Sequence, residues 1–236
     1  ERVLQVMEEQ EYTPNWFARG LNLAKTDTIA LLVPNVEFGP YQGIIAGVET
    51  VAHKKENAVF LCNTRNSREE EYKYLKMVLS RQVDGIILVS SLLRQSQAGI
   101  LTSSGVPAVH IGSQRCAGCE TSCYIDQREG VSRVVEHLAG LGHRQIDLLL
   151  DVAESPDLEV IAAGFGASLN YQGIEGTVHY GENSVRGGHL TTKKLYTMDK
   201  LPEALITYSE QQAFGVLQAA KRLDIAIPGE LAVASM

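Results

Sequence analysis

The chain has 236 residues, of which 44% are hydrophobic and 21% are charged, and its formal net charge is −7. These proportions are ordinary for a globular protein, and the negative charge argues against a chain whose bulk coats nucleic acid without sequence preference. No apolar run approaches the roughly 18 residues of a membrane helix, and no basic-then-apolar leader opens the sequence, so we expect neither a membrane protein nor a secretion signal.

The first 26 residues do not share the pattern of the rest. Thr13-Pro14-Asn15 interrupts a short apolar stripe, and Gly20 weakens the helical stretch that follows, so this part is interpreted as a linker that folds only against something else. The sequence begins inside a predicted helix and ends beside a predicted strand, so we expect the natural chain to extend at both ends.

From residue 28 onward, short runs rich in Val, Ile and Leu alternate with longer helical segments. The predicted strands cover residues 28–33, 58–62, 85–89, 107–111, 123–126, 145–150, 177–180, 204–207 and 231–234. The predicted helices cover residues 41–55, 68–81, 127–141, 158–171, 185–198 and 210–223. Most strand runs are continuously apolar, which is typical of parallel strands buried on both faces. The alternation predicts an α/β fold, and nine strands favour two sheets in two lobes over one open sheet.

The predicted helix at 68–81 has a clear start. Ser67 is a candidate N-cap, and Glu70 follows it at the spacing of a capping box. The acidic run Glu69-Glu70-Glu71 is interpreted as a solvated first turn whose charge suits the helix dipole.

Four cysteines are few for this length and indicate a reducing compartment, so we expect a cytoplasmic protein. Cys116, Cys119 and Cys123 have the spacing C-x2-C-x3-C, which could begin a metal site. A structural zinc site needs four ligands, however, and only Cys62 or a distant histidine could supply the fourth. We expect free thiols in a loop over residues 113–121, with no metal and no cofactor.

Several motifs, in order along the chain, resemble the lactose/galactose repressor family of bacterial transcription regulators. They are ERV at 1–3, YTPN at 12–15, AR at 18–19, Leu21, TIALLVPN at 28–35, VDGII at 83–87, GVPAV at 105–109, LGHRQI at 141–146, AFGVL at 213–217 and IPGELAVA at 227–234. Each motif is weak alone, and their order and intervals over the whole chain make the resemblance specific.

The resemblance implies a two-lobed core like that of periplasmic sugar-binding proteins, each lobe a parallel sheet flanked by helices. Residues 1–26 would be the end of a helical DNA-binding headpiece and a hinge helix. Residues 27–125 would be the N-terminal lobe of an effector-binding core, and residues 126–236 its truncated C-terminal lobe. The implied partners are operator DNA, a small-molecule effector such as a sugar or sugar derivative, and a second copy of the chain.

The resemblance also assigns the DNA-binding residues. Leu21 matches the hinge leucine that wedges into the minor groove, a device that unstacks bases to kink the duplex. Asn15, Ala18 and Arg19 lie beside it, and the two polar side chains among them can reach phosphates or base edges. Without the family pattern, the stretch would be read as an ordinary linker with one buried leucine.

Three polar effector contacts of the family are altered here. The arginine that lies three residues before Gly164 in the family is Ile161, and the aspartate that many members carry after the fourth strand is Gly112. The Asn-Asp pair that opens a later helix is Ser209-Glu210. These losses put a standard pentose or hexose effector in doubt, because a neutral sugar needs its hydroxyls paired.

The remaining effector contacts that we expect are Ser209 and Glu210, with Phe38, Tyr41 and Gln42 at the mouth of the first lobe. Phe38 and Tyr41 could equally pack as rim residues. The pattern thus favours an effector-responsive DNA-binding regulator, most simply a repressor. A free-standing solute-binding protein of the same fold is the alternative, and the lack of nucleotide-binding and hydrolase motifs counts against an enzyme.

Overall fold

The computed structural model describes residues 25–236, apart from residues 38, 114, 117 and 154. The chain divides into two compact units, the first ending at Cys123 and the second spanning Tyr124–Met236. Within the described ranges, no helix is both long enough and apolar enough to cross a membrane.

The first unit is built on a five-stranded sheet in the order β2-β1-β3-β4-β5. Its strands are β1 (Thr28–Val33), β2 (Ala58–Asn63), β3 (Gly85–Val89), β4 (Ala108–Gly112) and β5 (Thr121–Tyr124). Its helices are α1 (Gly39–Lys54), α2 (Arg68–Ser80) and α3 (Gln95–Ser104). The pairs β1–β2, β1–β3 and β3–β4 are parallel. Leu32, Leu75 and Leu88 lie at the centre of its apolar core and are almost fully buried.

The second unit is built on a four-stranded parallel sheet in the order β7-β6-β8-β9. Its strands are β6 (Ile146–Leu150), β7 (Val178–Tyr180), β8 (Ala204–Thr207) and β9 (Ala232–Ser235). Its helices are α4 (Gln127–Gly140), α5 (Pro156–Gln172), α6 (Val185–Thr197) and α7 (Glu210–Arg222). All five residues of β6 are buried, as expected for a central parallel strand, and they include Asp147 among four apolar residues. The prediction of an α/β fold with two parallel sheets flanked by helices is confirmed.

Two sequence predictions of single elements are wrong. The fifth strand spans Thr121–Tyr124 rather than 123–126, because this edge strand is largely exposed and carries no continuous apolar run. Helix α3 was not predicted, since its sequence QSQAGILTSS is rich in Ser and contains Gly99, and only Ala98 and Leu101 of it are buried.

Candidate functional site

The carboxyl ends of parallel strands meet at one edge of each sheet, where open α/β sheets bind ligands. In the first unit, this edge is formed by the loops after β1, β3 and β4, together with the start of α1. In the second unit, it is formed by the loops after β6, β7 and β8. Each edge is a separate candidate site, built from residues of its own unit.

Tyr41 and Gln42 lie in the first turn of α1, which follows β1 directly. The hydroxyl of the half-buried Tyr41 donates to Oγ of Ser90, 3.3 Å away, and so connects α1 to the end of β3. Gln42 is exposed, and its amide donates to the carbonyls of Val36 and Glu37 at 3.3 and 3.4 Å. The structure therefore brings both side chains to the predicted edge; Phe38 lies outside the described residues.

Gly112 is the buried last residue of β4, and a side chain there would meet His110. A Cβ added to Gly112 would lie 2.7 Å from Cε1 of His110, so the imidazole ring occupies the space of the family's aspartate. Nε2 of His110 accepts a hydrogen bond from the backbone N–H of Ser91 at 3.2 Å, which requires that this nitrogen carry no proton. Gly112 thus offers no polar side chain to a ligand.

A buried carboxylate lies behind this edge. Glu71 on α2 accepts from the hydroxyl of Ser91 at 2.5 Å and from the backbone N–H of Leu92 at 2.8 Å. Burial raises the pKa of Glu71 above its ordinary value, and the two hydrogen bonds and nearby Arg68 oppose this rise only in part. The interpretation of Glu71 as part of a solvated turn is therefore wrong, although Ser67 does cap α2 by accepting from the N–H of Glu70.

In the second unit, Gln212 of α7 joins the carboxyl ends of three strands. Its side-chain amide is fully buried and lies 3.1–3.4 Å from the carbonyls of Leu150, Gly181 and Glu182, to which it donates. Its oxygen accepts from the backbone N–H of Tyr208 at 3.2 Å. The sequence analysis missed this residue.

Ser209 is the N-cap of α7 and is almost completely buried. Its hydroxyl donates to Oδ1 of Asn183 and accepts from the backbone N–H of Gln212. Its hydrogen bonds within the unit give Ser209 a capping role, and its contact with an effector stays a prediction.

Glu210 is exposed in the first turn of α7, at the predicted edge. Asp151 follows β6 and is half-buried, and Glu182 follows β7 and is exposed. Since β7, β6 and β8 are neighbours in the sheet, three carboxylates follow three adjacent carboxyl ends. This edge therefore favours a ligand with a positive charge.

Ile161 is fully buried in α5 and belongs to the apolar core of the second unit, with Val131, Leu148 and Phe165. Its aliphatic side chain among apolar neighbours has a packing role, and the assignment of Ile161 to the effector site stays a prediction. The DNA-binding assignments Asn15, Ala18, Arg19 and Leu21 lie outside the described residues.

Among the described residues, no three His, Cys, Asp or Glu side chains are grouped so that they could hold a metal ion. All four cysteines are free thiols.

Comparison with known proteins places these features in context. Residues 26–235 match the family described as "Periplasmic binding proteins and sugar binding domain of LacI family". The chain is 27% identical over 236 residues to catabolite control protein A of Priestia megaterium, covering 98% of this chain and 71% of that protein.

Two solved structures have a similar fold. A transcriptional regulator of the LacI family from Silicibacter pomeroyi matches with a TM-score of 0.88 at 21% identity, covering 99% of this chain and 72% of that one. The lac repressor dimer bound to operator and the anti-inducer ONPF matches with a TM-score of 0.83 at 22% identity, covering 94% of this chain and 78% of that one.

Proposed function

Since the chain belongs to the family of periplasmic binding proteins and sugar-binding domains of the LacI family, we propose that it is the core of an effector-responsive transcriptional regulator. In this proposal the regulator is cytoplasmic, has no catalytic activity, and binds operator DNA as a homodimer, most simply as a repressor. Residues 27–125 and 126–236 are its two effector-binding lobes, and residues 1–26 lead to a DNA-binding headpiece.

The observation that carries the proposal is the extent of similarity to a regulator. The match with catabolite control protein A spans 98% of the chain, so it extends beyond the effector-binding residues 26–235. A free-standing solute-binding protein needs only the two lobes, and similarity over this additional length favours a regulator.

The hinge supplies the DNA contacts in this proposal. Leu21 wedges between base pairs in the minor groove, while Asn15, Ala18 and Arg19 lie against the backbone and groove beside it. In the intact regulator, Leu21→Ala should weaken operator binding at least tenfold, since partial unstacking and the wedge contact are worth a few kcal/mol. Fluorescence anisotropy on labelled operator measures this, with Leu93→Ala in the first unit as a control; equal affinities of wild type and Leu21→Ala would contradict the wedge role.

An apolar face of the first unit supports the homodimer. Strand β2 is at the edge of its sheet, and Phe60 and Leu61 on it are 43% and 46% exposed. Helix α1 beside it has a single buried residue, Ala52, and Val51 on it is 59% exposed. An exposed apolar edge of this kind is commonly covered by a partner, and a second copy is the partner that operator symmetry requires.

The effector in this proposal is not a plain neutral sugar. Gly112 carries no side chain, Ile161 lies in the core, and the hydroxyl of Ser209 is used for capping. Each missing polar anchor leaves a desolvated group that costs about 1–3 kcal/mol. Two such losses raise a micromolar dissociation constant toward millimolar, at about 1.4 kcal/mol per tenfold. A ligand with a cationic group gains instead from Asp151, Glu182 and Glu210.

Calorimetric titration with glucose and glucosamine tests the effector proposal, because these sugars differ by one ammonium group. We expect glucosamine to bind about fivefold or more tightly than glucose, with an advantage that Glu210→Gln reduces and Glu136→Gln on α4 leaves unchanged. Micromolar binding of glucose, or equally weak binding of both sugars, would contradict the proposed charge selection without bearing on DNA binding.

A further inference from the structure

The loop between β4 and β5 holds two cysteine side chains in one turn. The backbone N–H of Cys119 donates to the carbonyl of Cys116 at 3.4 Å, and Gly118 between them has a φ of +82°. A Cβ on Gly118 would lie 2.7 Å from the carbonyl oxygen of Ala98, so the turn rests directly on α3 and only glycine fits there. The turn is thus held in place by the first unit.

The two thiols contact each other and lie next to Ser91 and Glu71, which are hydrogen-bonded to each other behind the carboxyl edge. Both are half-buried and pack against the apolar core of the first unit. The Cys119 thiol is hydrogen-bonded to the sulfur of Cys116, and Ser91 lies beside the same sulfur. Ser91 in turn donates to Glu71, so the pair adjoins the edge formed by β3 and β4.

The surroundings make the two sulfurs chemically different. The hydrogen bond from Cys119 lowers the pKa of Cys116 against the opposing effects of burial and of the Glu71 charge. The same hydrogen bond and burial raise the pKa of Cys119, which keeps its proton. A lowered pKa on the first cysteine of a C-x2-C pair is the usual arrangement for a nucleophilic thiolate with a resolving partner.

We propose that Cys116 and Cys119 form a thiol–disulfide redox site that reacts with hydroperoxides. The Cys116 thiolate attacks one oxygen of hydrogen peroxide; an S–O bond forms, the O–O bond breaks, and the hydroxide released becomes water on taking a proton. The Cys119 sulfur then attacks the sulfenic acid at Cys116. An S–S bond forms, the S–O bond breaks, and the departing hydroxide leaves as water with the proton of Cys119.

In sum, two thiols and one hydrogen peroxide give one disulfide and two waters, and a thiol reductant reverses the oxidation. This site is independent of the proposed DNA binding. The disulfide would form in the loop after β4, beside Ser91, at the carboxyl edge of the first unit.

The other cysteines of the chain serve as internal comparisons. Cys123 on β5 is exposed, whereas Cys62 on β2 is buried and burial raises its pKa. Neither has the thiol partner that distinguishes Cys116 and Cys119. Exposure alone would therefore direct oxidation to Cys123, while thiolate character with a resolving partner directs it to Cys116.

Thiol mapping of the folded, reduced chain tests the proposal. The chain is treated with equimolar hydrogen peroxide, quenched with N-ethylmaleimide and digested with trypsin, which releases residues 116–128 as one peptide. We expect this peptide to lose two hydrogens, with maleimide on Cys123 alone, and dithiothreitol to restore three alkylated cysteines. A disulfide that includes Cys123, or a disulfide between two chains, would overturn the proposal.

Substitutions separate the roles of the two thiols. Cys119→Ser should stop the reaction at a sulfenic acid on Cys116, which dimedone traps. Cys116→Ser should slow the loss of thiol about tenfold or more, since the pair then lacks its nucleophilic thiolate and burial raises the pKa of both Cys62 and Cys119. Cys123→Ser is the matched control and should react at the wild-type rate; dimedone on Cys123 in preference to Cys116 would contradict the assignment.

Discussion

At the scale of single residues, the buried side chain of Gln212 hydrogen-bonds to backbone groups at the carboxyl ends of three different strands of the second unit. Replacing it with alanine removes the side-chain donor to the carbonyl of Gly181, whereas the N–H of Tyr208 still donates to the carbonyl of Leu149. We expect Gln212→Ala to lower the free energy of unfolding by about 1–3 kcal/mol, which is the cost of a buried unsatisfied group. Urea denaturation measures this loss. Gln218→Ala, at an exposed position of the same helix, should change stability by less than about 0.5 kcal/mol; similar losses in both variants would contradict the role of Gln212.

Glu71 gives a prediction about pH. Burial raises its pKa in the folded chain above the ordinary 4.5, so the folded state binds this proton more tightly than the unfolded state does. The resulting stabilisation is fully present below pH 4.5 and is lost as pH rises through the raised pKa. Relative to Glu71→Gln, the wild type should therefore lose stability as pH rises from about 4 to 7.

Urea denaturation at several pH values, with exposed Glu69→Gln as the baseline variant, measures the effect of Glu71. A stability difference between wild type and Glu71→Gln that stays constant over this range, or grows in favour of the wild type, would contradict the account.

At the scale of elements, α6 and α7 approach so closely that only glycine fits between them. A Cβ on Gly188 would overlap the backbone oxygen of Gln212, and one on Gly215 would overlap that of Val185. Gly188→Ala should therefore separate the two helices and destabilise the second unit by about 3 kcal/mol or more.

A matched substitution in α5 isolates the packing effect in this prediction. Nothing lies within 4 Å of a Cβ added to Gly166, so Gly166→Ala should leave stability unchanged or raise it by up to about 1 kcal/mol. Thermal unfolding of the two variants compares them. Equal melting temperatures would show that the contact between α6 and α7 tolerates a methyl group.

The elements show how far the sequence predicts the structure. Continuous apolar runs give the central strands correctly, because parallel strands buried on both faces need no alternation. They fail at β5, whose exposed edge position removes that signal, and at α3, where weak helix formers depend on packing. Both misses arise from contacts that a local pattern does not contain.

The spacing of apolar residues along each helix could have identified Glu71 and Gln212 as buried. Glu71 shares a helix face with Leu75 and Val78, and Gln212 shares one with Val216 and Ala219. For Glu71, the charge of the neighbouring residues instead suggested a solvated position, and Gln212 was not singled out. The partners of the side chains, such as Ser91 and Gly181, lie far along the chain, so their hydrogen bonds were not predictable from the local sequence.

At the scale of the whole molecule, the order of motifs leads correctly to two parallel sheets, because the motifs mark strands and turns of the core. Ile161 and Ser209 were assigned to the ligand from family positions, and the structure shows a packing role for the first and a capping role for the second. Their contact with a ligand stays a prediction.

The central claim is that this chain is the core of a dimeric regulator of transcription. Sedimentation velocity of the intact regulator, mixed with a duplex from the promoter region upstream of its own gene, tests this claim most directly. We predict one complex with two chains per duplex, on a site of approximate two-fold symmetry, that dissociates as salt is raised. A single chain on an asymmetric site, or no complex that distinguishes this duplex from random DNA, would contradict it.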